Sequence, residues 1–214
     1  MPTPIPLKQK RLELLDVIRP ILDQTIPDVP PPLASHDAFT LLVAVLLSAQ
    51  CTDERVNKVT PELFAIASGP AEMVALGIER IEAIIRPCGL SNNKSKAIWT
   101  LSEILLRLHG GCVPRRLDEL QKLPGVGRKT ASVVMVQAFG VPAFPVDTHV
   151  IRLAGRWGLS SEADARKVEE DLCELIPAAD WGRFHLQMIY FGRRYCTAKS
   201  HRPELCPVCS QLNT

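Results

Sequence analysis

Residues 123–131, with the sequence LPGVGRKTA, have the composition of a tight turn between two helices. Pro124 ends the preceding helix, Gly125 and Gly127 permit a turn with positive φ, and Arg128 begins the next helix. Such a turn, called the hairpin below, directs backbone N–H groups outward at the positive end of a helix, where they bind phosphate without reading a base. A lone Gly-x-Gly pattern also occurs in turns that only connect helices, so the prediction depends on the whole string.

Three cysteines near the C-terminus form the second chemical feature. Cys206 and Cys209 are a CPVC pair typical of metal ligands, and Cys196 lies upstream; residues 196–209 are called the cysteine loop below. Seven cysteines, without a secretory signal in residues 1–6, indicate free thiols and a ligand cluster rather than disulfides. The other four are interpreted as small core residues: Cys51, Cys88, Cys112 and Cys173.

The composition is that of a globular protein, with 46% hydrophobic and 22% charged residues, which excludes wholesale disorder. A net charge of +2 excludes a uniformly basic coat but permits a local basic face. Residues 181–203 contain no acid and include Arg183, Arg193, Arg194, Lys199 and Arg202. A solvated helix face has the same pattern, so this segment becomes informative only beside another nucleic-acid signal.

The elements that must position these residues are helical. Apolar residues recur at intervals of three and four along almost the whole chain, which predicts an all-α fold. The helix predicted over 38–49, capped by Asp37, is apolar on every side and therefore belongs in the middle of the fold. Ser161 and Asp180 are predicted to cap two later helices. The longest apolar run, residues 41–49, has about half the length that a membrane-spanning helix needs, so no such helix is predicted.

Four motifs together resemble the endonuclease III family. They are LLSAQCTD at 46–53, GLSNNKSKAI at 89–98, LPGVGRKTA in the hairpin and VDTHV at 146–150, and the resemblance extends from about residue 11 to 209. It implies a bacterial DNA repair enzyme with two activities, a DNA N-glycosylase and a lyase acting on abasic sites. We therefore expect a cytoplasmic enzyme, working at the nucleoid as a monomer without a membrane, on duplex DNA with a damaged base or abasic site.

The resemblance implies two catalytic residues. Lys129 attacks C1′ of the flipped nucleotide and forms a Schiff base, and β-elimination then cleaves the strand on the 3′ side. Asp147 stabilises the cationic sugar as the base leaves and shuttles protons afterwards. A lysine nucleophile must be uncharged, which burial or a nearby cation such as Arg128 favours. Taken alone, Lys129 is equally an exposed helix lysine and Asp147 equally a simple N-cap.

DNA contacts are implied for further positions. Gln50 fills the gap left by the flipped nucleotide and Leu90 separates the base step, because an amide can pair with the orphaned base and an apolar side chain can act as a wedge. By residue type alone Leu90 would be an ordinary core residue. His149 either orients Asp147 or contacts a phosphate, and a purely structural role is equally compatible with the sequence. The other predicted contacts are Gly125, Val126, Gly127, Arg128, Thr130, Arg193, Lys199 and Arg202.

A [4Fe–4S] cluster is implied for the cysteine loop, with Cys196, Cys206 and Cys209 as ligands and a structural role. The family spacing is C-x6-C-x2-C-x5-C, whereas this sequence reads C-x9-C-x2-C, and the fourth cysteine falls at position 215, beyond the 214 residues. A trimmed chain, a substitute ligand, a three-thiolate cluster and an absent cluster all remain open. His201 also allows a Cys/His zinc site.

The resemblance also predicts two helical lobes with a DNA groove between them. Residues 33–144 form a helical barrel with the helix-hairpin-helix motif at about 117–136, and residues 1–32 pack with 145–214 to form the iron–sulfur lobe. Lys129 and Asp147 are expected at the mouth of the groove. The family implies oxidised pyrimidines as substrates. The alternatives are a monofunctional glycosylase of the same superfamily, against which Lys129 speaks, and a non-catalytic DNA-binding module.

Overall fold

The computed structural model describes residues 6–212, and in that range the chain is helical without a strand. This confirms the all-α prediction. The helices are α1 (Leu7–Thr25), α2 (Ala38–Leu47), α3 (Asp53–Ile66), α4 (Pro70–Leu76), α5 (Ile78–Ile85), α6 (Ser91–His109), α7 (Leu117–Leu120), α8 (Arg128–Phe139), α9 (Thr148–Arg156), α10 (Ala165–Leu175), α11 (Trp181–Arg194) and α12 (Cys209–Leu212). Short 3-10 turns lie at Arg86–Cys88, Ala178–Asp180 and Pro203–Leu205.

The described chain divides into two compact units, one formed by residues 31–141 and the other by residues 6–30 together with 142–212. The first unit is built around α2. Every residue of α2 from Phe39 to Leu47 is buried, and the helix packs against α3, α6 and α8. Asp37 caps α2 as predicted, because its side chain accepts a hydrogen bond from the Thr40 backbone N–H at 2.8 Å. The helix ends two residues before the predicted end, with Ser48 as its C-cap.

The second unit has its own core, in which Trp157 contacts Phe191 edge-on at 5.5 Å between ring centroids. All three cysteines of the cysteine loop belong to this core. The prediction that Ser161 caps the next helix was wrong. Asp164 caps α10 instead, because its carboxylate accepts from the first-turn amides of Arg166 and Lys167 at 3.1 Å.

Asp180 precedes α11 as predicted, but its side chain does not cap the helix. The carboxylate of Asp180 pairs instead with the guanidinium of Arg19 on α1. A long-range ion pair has therefore replaced the local bond that the sequence suggested.

No helix within residues 6–212 combines the length and the apolar character that crossing a bilayer requires.

Candidate active site and metal centre

The hairpin connects α7 to α8, and Gly125 is the residue that makes its turn possible. Gly125 has φ +76°, and a Cβ there would lie 2.9 Å from Leu46 Cδ1 and 3.1 Å from Ala97 Cβ. The turn therefore rests directly on α2 and α6, and no larger residue fits. Of the two glycines only Gly125 supplies the positive φ of the turn, because Gly127 is extended, with φ −83° and ψ 176°, as the N-cap of α8.

The N-terminus of α8 is open to an anion. Gly127 has no side chain with which to cap the helix, so its first-turn amides receive no side-chain bond. Gly127 and Arg128 are exposed, while the Val126 side chain is buried and fixes the turn from below. Backbone amides with a positive helix end and an adjacent arginine can hold a phosphate group.

Lys129 is the second residue of α8, and both it and Thr130 are half-buried. Directly after them the helix becomes part of the core, because Ala131 and Ser132 are buried. Lys129 is thus placed in the first turn of a helix whose following turn is packed in the core.

Asp147 belongs to the other unit and is the N-cap of α9. Its Oδ1 accepts hydrogen bonds from the backbone N–H groups of His149 at 2.8 Å and Val150 at 3.0 Å. Both bonds fall on one oxygen, which leaves Oδ2 for other chemistry. The carboxylate is half-buried and fixed in orientation by the cap. The N-cap interpretation and the catalytic one are therefore compatible.

His149 has a defined neighbour in the same unit. Its ring Nδ1 lies 3.1 Å from the guanidinium nitrogen Nη2 of Arg152, which also donates to the backbone oxygen of Gly192 at 3.0 Å. A Cβ added at Gly192 would lie 3.0 Å from that guanidinium nitrogen. The glycine therefore lets α11 pack closely enough against α9 for Arg152 to reach the Gly192 backbone oxygen.

Gln50 and Leu90 are both exposed and share an unusual backbone conformation. Their φ angles are 54° and 52°, in the left-handed region that non-glycine residues seldom adopt. Leu90 has 53% of its surface exposed, although a leucine would ordinarily be core. Strained, exposed residues of this kind concentrate at functional sites. The structure thus presents both side chains outward on the unit formed by residues 31–141.

Lys94, which the sequence analysis did not single out, joins the two segments that carry these residues. Its buried ammonium donates to the Leu47 backbone oxygen at 2.8 Å and to the Cys88 backbone oxygen at 2.9 Å. Leu47 ends α2 just before Gln50, and Cys88 precedes Leu90. Burial lowers the pKa of Lys94 and, with the neighbouring Cys51 thiol, raises the pKa of Cys88 to about 11. Lys94 lies in the first turn of α6, where an exposed lysine is common, so the sequence did not indicate that it links these two segments.

The cysteine loop brings four metal-ligand atoms together. Three are thiol sulfurs, of Cys196, Cys206 and Cys209, and the fourth is a ring nitrogen of His201; all four lie within 4.8 Å of one another. The cysteines are buried and the histidine is half-buried. A hydrogen bond from the Cys196 thiol, with further bonds from the Cys209 backbone and His201, lowers the pKa of Cys206. The donor set fits an iron–sulfur centre, because thiolates ligate such clusters and histidine replaces cysteine in some.

Three further basic residues predicted to contact DNA are exposed on the unit that holds the cysteine loop. Arg193 lies in the last turn of α11, and Lys199 and Arg202 flank His201 in the loop. Of the four remaining cysteines, Cys88 is buried as expected. The interpretation of Cys112 as a core residue was wrong, because it is exposed in the turn after α6.

Residues 43–178 match the family of HhH-GPD superfamily base excision DNA repair proteins. The chain is also 47% identical to the endonuclease III of Bacillus subtilis over 179 residues, which cover 83% of this chain and 82% of the relative. The chain belongs to the endonuclease III family.

Solved structures of endonuclease III have the same fold. A non-covalent endonuclease III–DNA complex is 42% identical, with a TM-score of 0.87 over 97% of this chain and 95% of the other. A trapped endonuclease III–DNA covalent intermediate is 40% identical, with a TM-score of 0.85 over 99% of this chain and 100% of the other. The endonuclease III fold thus extends over nearly the whole of this chain, which is a base excision repair enzyme.

Proposed function

We propose that this endonuclease III-family enzyme excises a damaged base from duplex DNA and cleaves the resulting abasic site, with Lys129 as its nucleophile. The observation that carries the proposal is the position of Lys129. It is half-buried in the first turn of α8, beside an uncapped helix N-terminus suited to a phosphate. Phosphate binding at the hairpin holds the neighbouring sugar within reach of the amine.

The reaction follows from this placement. The Lys129 amine forms a bond to C1′ while the bond from C1′ to the base breaks, and the base leaves with a proton. Ring opening gives a Schiff base between Lys129 and the sugar. Loss of a proton from C2′ then expels the 3′ phosphate by β-elimination, and hydrolysis of the imine releases the enzyme.

Asp147 supplies the complementary charge. Its Oδ1 is fixed by the amides of His149 and Val150, so the carboxylate keeps its orientation while positive charge develops on the sugar. Its Oδ2 accepts and returns the protons that the later steps move. The N-cap thus acts as a positioning device for a catalytic group.

Opening the duplex is assigned to Gln50 and Leu90. Both are exposed in left-handed conformations, and Lys94 ties their segments together. Leu90 separates the base step and Gln50 bonds the base left unpaired. Oxidised pyrimidines are the substrates we assign, and the nucleoid is the site where a monomeric enzyme acts on them.

The metal centre serves structure in this scheme. Cys196, Cys206 and Cys209 would hold a [4Fe–4S] cluster, which supplies no redox step to base excision and instead fixes the loop that displays Lys199 and Arg202. Those two exposed cations bind phosphates of the duplex.

Borohydride trapping on a duplex with one abasic site tests the nucleophile, because the reductant converts the imine to a stable amine. Wild-type enzyme should form a covalent adduct. Lys129→Ala should form none, while its affinity for the same duplex changes by less than about threefold. Lys58→Ala is the matched control, since Lys58 is an exposed lysine paired with Glu54 on α3, and it should trap like wild type.

Asp147→Asn sharpens the test because the amide oxygen can still cap α9. We expect base release to fall by about 10²-fold or more, with an unchanged unfolding midpoint.

Normal trapping and cleavage by Lys129→Ala would refute the assigned nucleophile. Base release without trapping in the wild type would indicate a monofunctional glycosylase, and binding without either activity a DNA-binding module.

A further inference from the structure

We propose that His201 is a ligand of the metal centre through Nε2, completing a Cys3His set with Cys196, Cys206 and Cys209. This inference is independent of the roles assigned to Lys129 and Asp147. It places a fourth donor inside the cysteine loop itself. In sequence the set reads C-x4-H-x4-C-x2-C.

Two distances within the group are close to those between ligands of a single metal ion. His201 Nε2 lies 3.5 Å from Cys196 Sγ, and Cys196 Sγ lies 3.9 Å from Cys209 Sγ. Two ligands on one tetrahedral ion, with metal–sulfur bonds of about 2.3 Å and metal–nitrogen bonds of about 2.0–2.1 Å, stand roughly 3.5–3.8 Å apart. A four-iron cluster holds its ligands further apart than a single ion does. A single ion and a cluster could therefore use the same four donors, and measurement of iron, sulfide and zinc distinguishes them.

Arginines of α9 fix the start of the cysteine loop. The Arg156 guanidinium donates to the Thr197 backbone oxygen at 2.7 Å and lies 3.4 Å from Cys196 Sγ. Arg152 donates to the Cys196 backbone oxygen at 3.1 Å. Positive groups directed at a sulfur stabilise its thiolate form, which is the form that binds metal.

The next residues turn the chain so that His201 faces inward. The Thr197 hydroxyl donates to the Lys199 backbone oxygen at 2.7 Å. Ser200 then adopts φ 57°, a left-handed conformation that a serine keeps only when its surroundings enforce it. Side chains of the loop therefore face in different directions. Lys199 and Arg202 are exposed, while His201 between them is half-buried and directed at Cys196.

A second observation points to charge on the sulfurs. Trp157 is only 1% exposed, and its indole nitrogen has no hydrogen-bond partner within the described residues. The sulfur beside this N–H is that of Cys209. A metal-bound thiolate at Cys209 is the acceptor that satisfies this buried N–H.

The test uses the full chain purified without oxygen, and it measures iron, acid-labile sulfide and zinc per chain together with X-ray absorption at the metal edge. We expect imidazole scattering in the wild type. His201→Ala should lower the metal content at least twofold or convert a four-iron cluster to a three-iron one, visible by electron paramagnetic resonance. His201→Cys should restore the metal content without the imidazole scattering.

Two matched controls separate ligation from general damage. His36→Ala removes an exposed histidine, and Glu204→Gln changes an exposed residue of the same loop; both should keep the wild-type metal content. Iron with sulfide identifies a cluster and zinc without sulfide a single ion, and imidazole scattering in either supports the proposal. A wild-type spectrum without imidazole scattering, or a His201→Ala protein with unchanged metal content, would overturn it.

Discussion

The hairpin and the cysteine loop both turn the chain sharply to present polar groups, but different forces hold them. The hairpin relies on its own residues: Gly125 supplies the positive φ, and the missing side chain of Gly127 leaves the helix amides open. The cysteine loop relies on distant residues, because Arg152 and Arg156 of α9 bind its backbone. The left-handed position of the hairpin is a glycine, and that of the loop is Ser200. A motif that carries its own turn chemistry is readable from sequence, whereas a loop held from outside is not.

The largest expected effect is at the hairpin, where the two glycines can be compared directly. Gly125→Ala should destabilise the protein by about 2–4 kcal/mol, since it combines a left-handed alanine with a Cβ 2.9 Å from Leu46 Cδ1. Gly127→Ala should cost only about 0.5–1 kcal/mol, because that residue is extended and nothing lies within 4 Å of an added Cβ. Urea unfolding at equilibrium measures both. Equal losses would show that the turn does not depend on the φ of Gly125.

The next effect tests whether α9 holds the cysteine loop. Arg156→Gln removes the charge beside Cys196 and weakens the bond to Thr197. Loss of metal to a chelator should become about tenfold faster, because groups that contact metal ligands contribute about that much to metal affinity. Arg166→Gln is the control, as Arg166 is an exposed residue of α10 paired with Glu170. Indistinguishable release from the two variants would contradict the comparison.

The smallest effect concerns the strain in the loop. Ser200→Gly should stabilise the protein by about 0.5–1 kcal/mol, since glycine adopts φ 57° without steric cost. Ser161→Gly, at an exposed position without positive φ, should instead lower stability slightly because glycine gains entropy in the unfolded chain. Thermal unfolding midpoints distinguish the expected gain of stability in Ser200→Gly from the expected loss in Ser161→Gly. A loss of stability in Ser200→Gly would mean that the serine side chain itself holds the turn.

Local features predicted much of the fold. The helix predicted to begin at Arg128 is found at Arg128–Phe139, since Gly127 and Gly140 define its two ends. Asp37 is predictable as a cap because it directly precedes the apolar helix, and the structure adds that it accepts from Thr40, three residues away. Two cap predictions were wrong: Asp164 rather than Ser161 caps α10, and the Asp180 side chain forms an ion pair with the distant Arg19.

The sequence by itself determined the helical class, the hairpin and the family, because periodicity, turn chemistry and contiguous motifs are properties of neighbouring residues. Only the tertiary structure decided that Lys94 links the ends of α2 and the Leu90 segment, and that His201 lies beside Cys196. Those contacts join residues whose distance depends on how helices pack. Packing is set by the summed burial of many side chains, and no short pattern in the chain encodes it.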